Sequence, residues 1–268
     1  SMPNARYVYM NITDRERFSR SINVSPSLVR VVFNEKEPSI LFNWNPITSY
    51  IVNKMLLYEK DVIQIYPICS TRMDSKGING IIRTFGEIKK LGKKVALIVC
   101  NSNGRKRLDE IKSKLLLAEE YGLNEGDILF TSTLERVGDV DVSREVPNTV
   151  VSELMKMSNL FIFPTIAEVC SNVLLEASMT KNLIVLNKDL PSLFDFVDKD
   201  SVLSFPFTSL QNIHYGSKSD DDYINLAKDI ISKIDSNMAD KQFRKVWKVH
   251  NANNIYYNQL APVLYEKI

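Results

Sequence analysis

Two carboxylates eight residues apart bracket a turn in the stretch Leu160-Phe-Ile-Phe-Pro-Thr-Ile-Ala-Glu168-Val-Cys-Ser-Asn-Val-Leu-Leu-Glu176-Ala177. An apolar run ends at Pro164, a short polar loop carries Glu168, and a helix opens near Ser171. Glu176 then falls about two helical turns along it. The junction between a strand's carboxyl end and a helix N-terminus is where α/β proteins hold phosphates. A carboxylate on each side of such a junction suits a ligand with hydroxyls at both ends of a diphosphate, the chemistry of a nucleotide-sugar. The plainer reading is an ordinary strand–helix unit, with Glu168 capping the helix and Glu176 in solvent. Spacing alone leaves both open.

A second junction follows the run Asp61–Cys69, where Ser70-Thr-Arg72-Met-Asp74-Ser75-Lys76-Gly77 sets two cations at a helix mouth. A guanidinium four residues before an ammonium can grip a diphosphate from two directions, as a planar fork and as a point charge. The same cations would stabilise a departing phosphate without a metal ion. A solvated basic turn capped by Asp74 or Ser75 is the alternative. Arg105-Lys-Arg107 after the run Val95–Asn101 is a third basic cluster, unfavourably placed against a helix dipole unless an anion meets it. Asp139-Val-Asp141 has the look of a metal-binding DxD but falls in a loop after the third strand. Asp220–Asp222 reads as a helix cap. His214 and His250 lie too far apart in sequence to suggest a metal pair. Neither GxSxG, a P-loop nor GxGxxG occurs, which argues against dehydrogenase and kinase chemistry.

The elements that must position these residues alternate. Apolar runs Asp61–Cys69, Val95–Asn101, Ile128–Ser132, Leu160–Pro164, Leu183–Asn187 and Ser201–Phe207 read as strands. Gly77–Leu91, Arg105–Tyr121, Pro147–Met157, Ser171–Lys181 and Leu190–Val197 lie between them and read as helices. The strands are continuously apolar, so helices should cover both faces. Repeated units of this kind build a parallel, doubly wound sheet with right-handed crossovers, and ligands bind beyond the carboxyl ends of its strands. Asp220–Asn237 and Lys241–Ile268 read as closing helices, the latter with aromatic residues (Phe243, Trp247, Tyr256, Tyr257, Tyr265) expected to pack. Residues 1–59 form a short N-terminal segment with strands at Arg6–Asn11 and Leu28–Asn34 and a helix at Thr48–Tyr58; residues 60–268 form the Rossmann-like domain with its helical C-terminus. Val137–Ser143 reads as an irregular loop on the ligand-binding edge.

With 268 residues the chain can bury a sizeable core, and a net charge of +2 gives no reason to invoke nucleic acid or a membrane as partner. Thirty-four basic residues still form local patches if the fold gathers them. Three cysteines (Cys69, Cys100, Cys170) without paired spacing, and no signal-peptide pattern, point to a reducing cytoplasm. No apolar run approaches the roughly 20 residues that span a bilayer.

Taken together, Arg72-x-x-x-Lys76-Gly77 after the first strand and Glu168-x7-Glu176 after a strand ending in Phe163-Pro164 resemble the donor-binding half of GT-B glycosyltransferases, in particular the retaining family-4 group. The resemblance covers residues 60–200, and Ile65-Tyr-Pro-Ile-Cys-Ser-Thr-Arg-Met-Asp74 and Phe42-Asn-Trp-Asn-Pro46 are also similar to a prokaryotic and phage branch. It implies sugar transfer from a nucleoside diphosphate sugar with retention of configuration, with no cofactor and no obligatory metal. By that likeness Arg72 and Lys76 hold the diphosphate and Glu168 meets the sugar hydroxyls. Glu176 meets the ribose, while Ser171, Asn172 and Val173 form the helix start, the last two offering backbone N–H groups. The sequence departs from the pattern at Cys170 and Ser171, where an aromatic and a glycine are usual. Thr71 replaces a usual glycine, and Arg72 and Lys76 are one residue closer than the common spacing.

A two-domain enzyme of that kind also has an N-terminal acceptor half. Residues 1–59 would be a remnant or part of it, with a partner subunit or a missing domain supplying the rest. The expectation is therefore a glycosyltransferase acting on an unidentified acceptor. The alternative is a non-catalytic module of the same fold that binds a nucleotide or a partner. An epimerase on this fold would need an acid and a base that the sequence does not offer.

Overall fold

The computed structural model describes residues 7–9, 14–31, 43–168, 171–207 and 219–261. His214, Cys170, Tyr265 and the ends of several expected elements lie outside them. The chain divides into two compact units, Ser1–Trp44 and Asn45–Ile268.

In the first unit, strand β1 (Tyr7–Tyr9), helix α1 (Arg15–Ser21) and strand β2 (Val29–Val31) make one βαβ unit. The strands pair in parallel, Tyr7 opposite Val29, and Tyr9 stacks on Phe18 of the helix at 4.4 Å between ring centres.

The second unit opens with helix α2 (Pro46–Met55), whose N-cap Asn45 accepts from the Ile47 N–H and is followed by Pro46 at the first helical position. That is the ordering the two residue types favour. There follow β3 (Val62–Cys69), α3 (Ile78–Lys90), β4 (Val95–Ser102), α4 (Leu108–Glu120) and β5 (Ile128–Phe130). A small hairpin of β6 (Arg136–Val137) and β7 (Val140–Asp141) replaces the irregular loop expected there. Then come α5 (Asn148–Met155), β8 (Leu160–Phe163), α6 (Asn172–Met179), β9 (Leu183–Asn187) and β10 (Leu203–Phe205). Helices α7 (Asp220–Lys233), α8 (Met238–Val249) and α9 (Ala252–Ile255), the last running on into a π-helical turn at Tyr256–Leu260, close the described chain. Leu190–Val197, expected as an α-helix, is a 3-10 turn at Pro191–Phe196, and the Arg105–Arg107 cluster is a 3-10 turn ahead of α4.

The six main strands lie in two three-stranded parallel sheets, β5-β4-β3 and β8-β9-β10. Their inner strands meet mostly through side chains, with the backbone bond from the Asn159 N–H to the Ile63 carbonyl at 3.1 Å in place of a continuous ladder. The Gln64 amide donates to the Ile162 carbonyl at 2.9 Å and accepts from the Ile162 N–H at 3.0 Å. Asn159 accepts from the Ile63 N–H at 2.9 Å and donates to the Asp61 carbonyl at 2.8 Å. Ile63 turns its N–H toward β8, so alternation puts Pro67 on the same side, where a proline breaks no ladder bond. Helix α3 packs against α4 and α7 in one layer; α2, α5, α6 and α8 succeed one another in the other. This is the doubly wound α/β arrangement. The wholly buried Ile65, Tyr66, Ile98, Val99, Ile162 and Val185 form its centre.

The chain leaves β3 toward β4 and β5, then returns to β8 on the other side. The loops after β3 and β8 therefore part from each other at the topological switch point, the place where such sheets bind ligands. Both candidate motifs sit there.

Not every closing aromatic packs. Helix α8 buries Gln242 and Val246, and Trp247, next in sequence, turns outward with 62% of its surface exposed. Tyr257 is similarly exposed at 68%. The helical stripe that meets the domain is narrow, and these rings fall beyond it. Among the described residues no helix is long and apolar enough to cross a membrane.

Candidate functional site at the switch point

The loop after β3 begins as a 3-10 turn, Ser70–Arg72, and ends at Gly77, the N-cap of α3. Neither Asp74 nor Ser75 caps that helix. Asp74 instead pairs with Lys114 of α4 at 2.6 Å, and the Ser75 hydroxyl turns back to the Arg72 carbonyl at 3.1 Å. Met73 is fully buried beneath the loop.

The loop after β8 lies directly against it. The Ile166 N–H donates to the Ser75 carbonyl at 3.0 Å, and the Thr165 hydroxyl reaches the same oxygen at 3.4 Å. Lys76 meets Glu168 across this seam, ammonium to carboxylate at 2.6 Å, with side chains only 15% and 20% exposed. The Lys76 ammonium also lies 5.5 Å over the Phe163 ring, a cation–π arrangement. Two residues 92 apart in sequence thus share one partly buried ion pair, a pairing that nothing in the sequence signalled. Removing Glu168 would leave the Lys76 ammonium without its ion-pair partner in a poorly solvated place.

The remaining candidates are positioned as follows. Arg72 is exposed on the same loop as Lys76, and its guanidinium has no ion-pair partner among the described residues. Ser171 is buried and caps α6, its hydroxyl accepting from the Leu174 N–H at 3.2 Å, so its side chain serves the helix. Glu168 therefore does not cap α6. Asn172 is exposed and Val173 half-buried in the first turn of that helix, where backbone N–H groups lack intrahelical partners. Glu176 is exposed on α6, and its carboxylate has no partner among the described residues. The switch point thus presents one neutralised cation, one unpaired cation, a helix N-terminus and two carboxylates.

The third basic cluster is largely answered from within. Arg105 pairs with Asp141 at 3.2 Å and Arg107 with Glu110 at 3.7 Å. Asp141 also accepts from the Ser143 N–H and hydroxyl, bonds that hold its carboxyl below the usual carboxylate range, with Arg105 contributing. It is an anchor of the hairpin. Asp220–Asp222 does form a cap, Ser219 and Asp222 making a reciprocal capping box, and Arg83 reaches Asp220.

Beneath the loops lies a buried polar cluster that sequence reasoning missed. The Asn101 amide, at the end of β4, donates to the hydroxyls of Ser70 at 2.9 Å and Ser132 at 2.8 Å and accepts from the Ser132 N–H at 3.2 Å. It joins the end of β4 to the segments that follow its neighbours β3 and β5. Gly104 is required beside it, because a Cβ there would stand 2.0 Å from the Ser132 hydroxyl oxygen. Asparagine ending an otherwise apolar strand was the one available signal.

Cys69, the last residue of β3, accepts at its sulfur from Asn103 at 3.6 Å and lies 3.2 Å from the Thr71 hydroxyl. The Thr71 side chain and backbone, then Asn103, hold the thiol down at about 7. Cys100, wholly buried, is pushed up to about 12.

Solved structures with the same architecture include glycosyltransferases. Over 97% of this chain and 63% of theirs, the fold matches that of HepE from Anabaena, solved in complex with UDP-glucose, with a TM-score of 0.57 and 13% identity. Over 75% of this chain and 94% of that one it matches the C-terminal domain of LpcC, a glycosyl transferase group 1 family protein from Francisella tularensis, at a TM-score of 0.52 and 14% identity. Sucrose-phosphate synthase from Thermosynechococcus elongatus matches at 0.54 and 16% identity over 96% of this chain and 58% of its own. The fold is that of the GT-B glycosyltransferase C-terminal domain. The chain spans about three-fifths of the length of the HepE structure. No protein-family model matches the sequence, and no curated protein does.

Proposed function

We propose that this domain binds a nucleoside diphosphate sugar at the switch point and transfers the sugar with retention of configuration, without a metal ion. The acceptor hydroxyl would come from a molecule still to be identified. The observation that carries the reading is the Lys76–Glu168 pair at 2.6 Å, set between the loop bearing Arg72 and the helix bearing Glu176. A diphosphate would draw the Lys76 ammonium away from Glu168, and Arg72 would close on it from the other side of the loop. The Glu168 carboxylate would accept hydrogen bonds from the sugar hydroxyls. Glu176 would accept from the ribose hydroxyls. The N–H groups of Asn172 and Val173 would meet phosphate oxygens.

Departure of the diphosphate and attack of the acceptor hydroxyl would occur on the same face of the sugar. Catalysis would rest on positioning and on stabilising the leaving phosphate. That solved structures of this architecture include a glycosyltransferase holding UDP-glucose supports the reading.

A thermal-shift screen with UDP, GDP, ADP, CDP and their sugars, with and without magnesium, tests it. A ligand at a hundredfold its dissociation constant adds about 2.7 kcal/mol to stability. The expected outcome is a raised melting point with one diphosphate, independent of magnesium and lost in Lys76→Glu. No shift with any of them overturns the proposal. Binding without hydrolysis or transfer of the sugar would make the domain a nucleotide-binding module.

A further inference from the structure

We infer that Tyr66 is a positioning residue for Lys76, holding that residue's backbone in place so that only its side chain moves when an anion binds. This rests on the donor-site reading for its consequence, but not for its geometry. Tyr66 sits inside β3 with none of its surface exposed, where a phenol is costly unless its hydroxyl finds a partner. That partner is the Lys76 carbonyl, to which the hydroxyl donates at 2.6 Å. A phenylalanine would fill the same space in the core, so the oxygen serves the loop and not the packing.

The ring side of the residue points the same way. Tyr66 packs against Phe161 at 5.8 Å and Phe163 at 6.4 Å between centres, and Phe163 is the ring under the Lys76 ammonium. One aromatic cluster therefore holds Lys76 at its carbonyl through Tyr66 and at its ammonium through Phe163. The next residue, Gly77, is in the left-handed region at φ +69° and is wedged against Pro164, which leaves the peptide after Lys76 no alternative path. Burial, and secondarily the charge of Glu168, raise the phenol well above its ordinary range, so it remains a donor at any working pH. With the backbone fixed, exchange of Lys76 from carboxylate to phosphate is a rotation of one side chain, and little ordering is left to oppose binding.

The test is a double-mutant cycle between Tyr66→Phe and Lys76→Met, read by binding of whichever of UDP, GDP, ADP and CDP the wild type takes. The expected result is a loss of about five- to tenfold in affinity for Tyr66→Phe alone, and no further loss when it is added to Lys76→Met. Additive losses, or undiminished affinity in Tyr66→Phe, overturn the inference. A second arm needs no ligand: NMR of the Lys76 side chain, assigned by its disappearance in Lys76→Met. An ordered ammonium in the wild type that becomes motionally averaged in Tyr66→Phe supports the assignment; unchanged order refutes it. If the wild type binds none of the four diphosphates, the donor-site reading fails, and the NMR arm still decides the role of Tyr66.

Discussion

Gly77 and Pro164 touch so closely that a Cβ on the glycine would stand 2.7 Å from both the proline Cγ and its carbonyl oxygen. One residue ends the loop after β3, the other opens the loop after β8. Their contact brings Lys76 within reach of Glu168. The absence of a side chain is thus a structural requirement of the ion pair, apart from the left-handed backbone that glycine also allows.

Gly77→Ala is therefore expected to lower stability by about 1–3 kcal/mol, through the positive φ and the clash with proline backbone, which cannot rotate aside. Urea denaturation monitored by far-UV circular dichroism measures it. An unchanged midpoint would mean that the two loops separate freely.

Lys114 and Asp74 form the other tether of the loop after β3, with the lysine side chain 9% exposed and the aspartate 76%. Lys114→Met keeps the buried aliphatic stem and removes the ammonium. The stability cost should stay under about 1 kcal/mol, because the aspartate remains hydrated. Nucleoside diphosphate affinity should nevertheless fall several-fold as the loop between Arg72 and Lys76 loosens. Calorimetric titration of wild type and variant separates the two effects.

Gln64 is the rivet between the sheets, wholly buried and making both of its bonds to Ile162. Gln64→Leu leaves the Ile162 N–H and carbonyl without those partners, at a cost of about 2–4 kcal/mol. The urea midpoint should drop while the slope of the transition stays constant. A drop of less than about 0.5 kcal/mol would show that water replaces the amide.

Cys69 offers a pH-dependent readout at the site's edge. The thiolate is the nucleophile, and lowering the thiol to about 7 means that alkylation rises through neutral pH instead of near the ordinary 8.5. In a Cys170→Ser background the iodoacetamide rate should show a midpoint near 7. Thr71→Val should move that midpoint upward, since the threonine hydroxyl is the largest single cause of the lowering, while the backbone bond from residue 71 remains. Cys100, buried and raised, should stay silent in the folded protein.

Much of this fold was legible in order along the chain. Continuous apolar runs such as Val95–Cys100 and Leu183–Leu186 declare strands covered on both faces, and the intervening amphipathic stretches declare the helices. Alternation of the two leads to a doubly wound sheet, which in turn puts Arg72, Lys76, Glu168 and Glu176 near one edge. These are local properties, settled by the period of hydrophobicity and by the types of residue at strand ends. They do not reveal which side chain meets which across the switch point. The Lys76–Glu168 pair and the Gln64 bridge join segments that become neighbours only when β3 and β8 are brought together, while the hold of Tyr66 on the Lys76 carbonyl and the Lys114–Asp74 tether depend on how the loop after β3 folds back on its strand and on α4. Outward-facing Trp247 was equally hidden, since its exposure depends on the width of the stripe by which α8 meets its neighbours. Sequence by itself determined the strand–helix alternation and the chemistry available at the loops. Tertiary contact decided which charges are paired and which backbone is fixed, because hydrogen bonds and ion pairs act over a few ångströms and take no account of distance along the chain.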